Sequence, residues 1–172
     1  MLQLSTGLLN KDILSLRSGT TIAMITGAVI NPNNLKIEGF YCEDRYSHKE
    51  LILLCRDIRD NLPQGYVVND HDVLVEADEL VRLKEIIELN YNPLGKQVVT
   101  VSKQKIGKIS DYAAETESMY IQKLYASQSI LKSLAGGSLS IDRSQVQEIT
   151  PQRIIISEIL RGTPATAPAT AS

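Results

Sequence analysis

The chain has 172 residues, 43% of them hydrophobic and 22% charged, and a formal net charge of −2. That is enough chain for one larger domain or two small ones with a working core, at a composition ordinary for a folded soluble protein. No apolar run approaches the roughly 18 residues needed to cross a bilayer, and a sequence pI near 5.7 argues against tight nucleic-acid binding.

Charge is spread unevenly, with fourteen acids against nine bases in residues 1–89 and six against nine in 90–172. The two halves therefore read either as two solvated surfaces or as opposite-sign partners. With no Trp and one Phe, Phe40, the core must be built from Ile, Leu and Val. The opening "MLQLSTGLLNK" lacks a basic start, an apolar stretch and a cleavage site, so export is not predicted and a cytoplasmic protein is expected. Cys42 and Cys55 are too few for a disulfide framework and read as free thiols in a reducing compartment.

Along the first half, "LRSGTTIAMITGAVINP", "LKIEGFY" and "LILLCRD" have the composition of strands separated by turns. His48 lies in the polar loop "DRYSHKE". His71 lies in "NDHD", which reads as a hairpin turn. The acids of "NDHDVLVEADE" lack the central Gly of a calcium loop, and the cysteines and histidines miss zinc spacing, so no metal is expected. In "EADELVRLKEIIEL" the strand pattern breaks. Leu80, Leu83 and Ile87 share a helical face with Val81 and Ile86 beside it, which predicts a connecting helix over 77–91 that Pro93 helps to stop.

The second half opens "LGKQVVTVSKQKIGKISDY", continues through "MYIQKLY" and "DRSQVQEITPQRIIIS", and carries a second predicted helix at "SQSILKSLA". Lys96, Lys103, Lys105 and Lys108 form its basic stretch, read as protection of a strand edge in preference to phosphate contacts. The tail "GTPATAPATAS" cannot bury enough apolar surface to order itself.

The halves echo each other. "GAVI" at Gly27 matches "GKIS" at Gly107, 80 positions on. Ile37 and Tyr41 match Ile121 and Tyr125 at 84. Pro63-Gln64 and Tyr66-Val67-Val68 match Pro151-Gln152 and Ile154-Ile155-Ile156 at 88. A period this long predicts a duplicated small domain, not a solenoid. The continuous apolar triplets fit strands covered on both sides.

In the second copy, Gly95-Lys96, the Val98-Val99 pair, a short polar turn and Ile106-Gly107-Lys108-Ile109 with an acid resemble the start of a PRC-barrel domain. The first copy resembles a divergent member that lacks the Gly-Lys opening. The resemblance implies a mainly β chain of two small PRC-like β-barrels in tandem, joined by a short helix and ending in a disordered tail. Its boundaries are 8–76 for barrel 1, 77–91 for the connecting helix, 92–158 for barrel 2 and 159–172 for the tail. Relatives of that fold include the C-terminal half of the ribosome maturation factor RimM, which binds a small-subunit ribosomal protein, and the cytoplasmic body of the reaction-centre H subunit. The resemblance therefore implies a non-catalytic adaptor for protein partners, with a RimM-like role in ribosome maturation as the alternative.

No phosphate-binding loop, nucleophile elbow or dinucleotide fingerprint appears, so no catalytic residue, cofactor or metal is assigned. Cys55 beside Arg56 is the nearest approach to an activated nucleophile, but "LILLCRD" reads as a core strand. Arg56, Asp57, Arg59, Asp142 and Arg143 are charged residues near predicted strands, read as a polar interaction rim or equally as internal salt bridges.

Overall fold

The structure, a computed structural model, describes residues 1–128 and 138–158. It is mainly β, with two sheets and short helices. The predicted helix at "SQSILKSLA" falls almost wholly on residues outside the described ones, as does the tail from 159 onward. The chain divides into two compact units. One holds Thr6–Pro32 and Lys36–Tyr91; the other holds Met1–Ser5, Asn33–Leu35 and the described residues from Asn92 onward.

The first of these is a six-stranded sheet of β2 (Asp12–Ser15), β3 (Thr21–Asn31), β4 (Lys36–Asp44), β5 (Glu50–Leu54), β6 (Asp60–Leu62) and β7 (Gly65–Val68). Their order is β5-β4-β3-β2-β7-β6, antiparallel except for the parallel β2–β7 pair. A two-residue turn, Pro63-Gln64, joins β6 to β7, where the proline ring presets the backbone for reversal. Tyr66, Val67 and Val68 are all buried, as expected of a strand covered on both faces. The fully buried rings of Phe40 and Tyr66 stack with centroids 4.9 Å apart, and the Tyr66 hydroxyl donates to the Leu8 carbonyl at 2.9 Å. Truncating Phe40 to Ala is expected to cost about 3–5 kcal/mol.

The second unit repeats this plan. Its strands are β8 (Gln97–Thr100), β9 (Lys105–Glu115), β10 (Ile121–Ser127), β11 (Ser138–Asp142), β12 (Val146–Ile149) and β13 (Arg153–Ile156), in the order β11-β10-β9-β8-β13-β12. Again the one parallel pair is β8–β13. A further short strand, β1 (Leu2–Leu4), lies on β9.

Pairing partners fix the internal alignment. Tyr41 faces Gly27, and Tyr125 faces Asp111, so the match at 84 positions holds along these strands. The bulge that skips Thr26 in β3 recurs at Ser110 in β9. Ile13 faces Ala23 while Val98 faces Gly107, so the counterpart of Gly107 is Ala23, and the expected match of Gly27 with Gly107 is corrected. Lys11 is the counterpart of Lys96, since their carbonyls accept from Ile25 and Ile109 at 3.0 and 2.9 Å. Asn10-Lys11 thus stands where the second copy has Gly95-Lys96. Leu35 and Met119, both buried, end equivalent turns with φ of 59° and 60°.

The connecting segment is less helical than its periodicity predicts. Two 3-10 turns, Ala77–Glu79 and Val81–Leu83, precede a short α-helix (Lys84–Leu89). Asn90 ends it in the left-handed conformation, its amide reaching the Ile86 and Ile87 carbonyls. Leu83 is buried with Val29, Ile52 and Leu54, but Val81 faces solvent. The "NDHD" stretch is corrected as well. Asp70 accepts from the His71 amide to start a 3-10 turn, His71–Val73, and only one isolated bridge, Val75 to Ile52, follows.

Candidate functional site

Each β2–β3 or β8–β9 corner carries the same construction. Ser15 and Thr100, the last residues of the parallel strands β2 and β8, are buried polar residues. Their hydroxyls accept amides of the following turn, from Ser18 at 3.3 Å and Gln104 at 3.1 Å. Their own amides donate to Thr20 and Gln104 carbonyls at 3.0 and 2.9 Å. The next residue is aliphatic and projects outward: Leu16 is 61% exposed and Val101 55%. Their amides bond the ends of β7 and β13, Leu16 to the Val68 carbonyl at 2.9 Å and Val101 to the Ile156 carbonyl at 3.0 Å. An acid two residues beyond each strand then holds the turn. Asp70 pairs with Arg17 at 3.1 Å, and Glu158 accepts from the Ser102 amide at 2.8 Å. Hydrogen bonding from Ser102 holds the Glu158 carboxyl below its ordinary range.

Each corner is a fixed backbone that presents one apolar side chain beside charge. Polar residues favour turns, so an exposed aliphatic residue at the same place in both units calls for a reason beyond folding. Sequence reading missed both. Aligning "DILSLRSG" with "QVVTVSKQ" by the ends of their strands would have placed Leu16 over Val101.

The five charged residues singled out from sequence fall on equivalent elements. Arg56 and Asp57 lie on the 3-10 turn Cys55–Asp57 after β5, and Arg59 follows it. Asp142 caps, and Arg143 begins, the matching turn Arg143–Gln145 after β11. Asp142 is engaged internally with Lys123 at 3.3 Å, and Arg143 lies over the Tyr120 ring at 4.7 Å. Arg56 and Arg59 are exposed and make no ion pair among the described residues.

The groups with the most chemical potential are otherwise occupied. Asp44 is buried, and its carboxylate accepts the Ser47 hydroxyl at 2.6 Å, the Ser47 amide at 2.9 Å and His71 Nε2 at 2.6 Å. Burial alone would raise its carboxyl, but these hydrogen bonds and the His71 charge bring it down to about 2. Ser, Asp and His meet here with the acid in the middle. The hydroxyl gives its hydrogen to a carboxylate, not to an imidazole, so this is a loop latch and not an activated nucleophile. Its local half was legible as Asp-x-x-Ser in "DRYS"; the histidine 27 positions on was not.

His48 is exposed beside Glu43 at 3.1 Å. Burial, with Asp44 and Glu50 nearby, pushes the Cys42 thiol up to about 12. Burial and Glu38 do the same for Cys55. No set of three metal-ligating side chains gathers among the described residues. Lys103, Lys105 and Lys108 are exposed; Lys103 lies in the β8–β9 turn, whereas Lys105 and Lys108 lie on β9, which stands between β8 and β10 and not at the sheet edge. No helix of the described residues is long and apolar enough to cross a membrane.

No protein-family model matches the chain, and no curated protein pairs with it at a significant level.

Proposed function

We propose that this chain is a non-catalytic adaptor, built from two PRC-like barrels, that binds protein partners through its two equivalent corners. The observation that carries the reading is the repeated exposed aliphatic residue, Leu16 and Val101, on a backbone fixed from both sides. Two such anchors on one chain engage two sites at once and gain avidity through effective concentration. Apolar anchors rimmed by charge suit protein surfaces better than phosphate backbones.

Barrel-like curling of each sheet is supported by its connections. The edge strands β11 and β12 are consecutive, with only Arg143–Gln145 between them. Six strands laid flat span about 24 Å. The four peptide steps from Asp142 to Val146 reach at most about 14 Å even when extended, a span that favours a sheet whose edges curl toward each other. The link from β5 to β6, through Cys55–Arg59, has the same character.

The test is capture and gradient sedimentation of the tagged full chain from its host lysate, alongside Leu16→Asp, Val101→Asp and the double variant. Specific proteins retained by the wild type, weakened by each substitution and lost from the double variant are expected. An identical captured set with all four proteins would overturn the reading. Co-migration with small ribosomal subunits that survives moderate salt would identify the partner as ribosomal, as in the RimM-like alternative.

A further inference from the structure

A second surface, separate from the corners, lies along the connecting segment. The inner side of this segment completes the core through Leu83, with Leu80, Ile86 and Ile87 packed around it. Its outer side is not finished in the same way. Ala77, Leu80, Val81 and Ile87 line an open groove of about 440 Å³, within the size range of ligand-binding pockets. Val81 is 82% exposed, and Leu89, farther along, is 57% exposed. A linker needs polar residues on its outer face; this one leaves a β-branched residue almost fully exposed.

The rim has a definite sign. Asp78 and Glu88 border the groove with Lys84, and the neighbouring Glu79 and Glu85 are exposed. None of these four acids has an ion-pair partner among the described residues. Acids therefore outnumber Lys84 and Arg82 around an apolar floor. This charge selects the occupant. Nucleic acid and anionic lipid would meet like charge. A second copy docking by the same face would set the acid rim against itself. A peptide that inserts aliphatic side chains between flanking Lys or Arg residues satisfies floor and rim together. We propose that this groove docks a basic, apolar-anchored peptide segment of a partner protein.

The full chain is to be titrated into a labelled 14-residue amphipathic Leu/Lys peptide and into its Leu/Glu twin, read by fluorescence anisotropy. Saturable binding of the Leu/Lys peptide, at least tenfold tighter than the twin and weakened by salt, is expected. Val81→Asp should weaken it at least tenfold, and Met24→Asp, an exposed position outside both the groove and the corners, should leave it unchanged. Asp78→Lys with Glu88→Lys should reverse the preference between the peptides. Thermal melting confirms that each variant is folded, with Val81→Ser in reserve if Val81→Asp is not. Equal affinity for both peptides, or Leu/Lys binding unaffected at Val81, would overturn the proposal. So would tighter binding to phosphatidylserine vesicles than to the Leu/Lys peptide.

Discussion

His71 Nε2 lies 2.6 Å from the buried carboxylate of Asp44, and that one contact ties the loop after β4 to the turn after β7. The Asp44 carboxyl sits at about 2, below its ordinary 3.8, because hydrogen bonds to its charged form outweigh burial. A folded-state value below the unfolded one stabilises the protein above the unfolded value. That contribution is lost as pH falls from about 4 toward 2. Urea denaturation between pH 2 and 5 should show this loss, and Asp44→Asn should flatten it. At pH 7 that variant should be less stable by about 2–3 kcal/mol, the scale of hydrogen bonds to a buried charge. Glu115 and Glu158 are held below their ordinary range as well, so the latch is read from the difference between the two proteins, and a difference that stays constant from pH 2 to 5 would reject it.

Gly107 is required by its surroundings. A Cβ there would stand 1.9 Å from the Ser127 carbonyl oxygen, which belongs to the backbone and cannot swing aside. Gly107→Ala should therefore break the local β9–β10 pairing and destabilise the protein by about 3 kcal/mol or more. Gly27→Ala meets only the Tyr41 ring at 3.5 Å, an ordinary contact, and should fall within about 1 kcal/mol of wild type. Chemical denaturation of the two variants measures the contrast.

That pair also shows what the sequence made legible. Tyr41 over Tyr125, and the apolar triplets at Tyr66 and Ile154, were readable because a buried strand constrains several side chains at once. Gly27 and Gly107 misled because the same letter has two causes: a residue beside an aromatic ring in one strand, a forced absence of Cβ in the other. Leu16 and Val101 were illegible singly, since one aliphatic residue in a turn carries no pattern. They become meaningful only when the strand ends fix the offset. The helix over 77–91 was read from a 3.6-residue period, but Leu83 can be buried by a 3-10 turn equally well, and periodicity does not separate the two.

Both thiols should be slow to alkylate in the folded protein. Cys42 donates to the Leu51 carbonyl at 3.5 Å and Cys55 to the Ile37 carbonyl at 3.3 Å, and each thiol is raised from 9.0 to about 12. At pH 8 the thiolate fraction falls by roughly a thousandfold, and alkylation follows the thiolate. Mass spectrometry after iodoacetamide treatment should show both cysteines protected in buffer and modified in urea. Rapid labelling of Cys55 in the folded state would reopen a nucleophilic role for it.

Lys11 offers the sharpest test of how the core of the first sheet tolerates charge. It is 5% exposed, its ammonium donates to the Asn61 side chain, and it lies 4.8 Å from the centre of the Tyr66 ring. No carboxylate pairs with it among the described residues. Burial lowers its pKa from the ordinary 10.5. The unfolded chain then holds this proton more tightly than the folded one, so stability rises with pH through the folded-state value and levels off above the unfolded one. Lys11→Met keeps the length and removes the titration. Because desolvation of the charge offsets its contacts, the variant should lie within about 2 kcal/mol of wild type at pH 7. Between pH 8 and 11, wild type should gain stability relative to Lys11→Met, a difference that cancels every other titrating group. A constant difference across that range would mean that the lysine keeps its full charge at no cost, held by Asn61 and the Tyr66 ring alone.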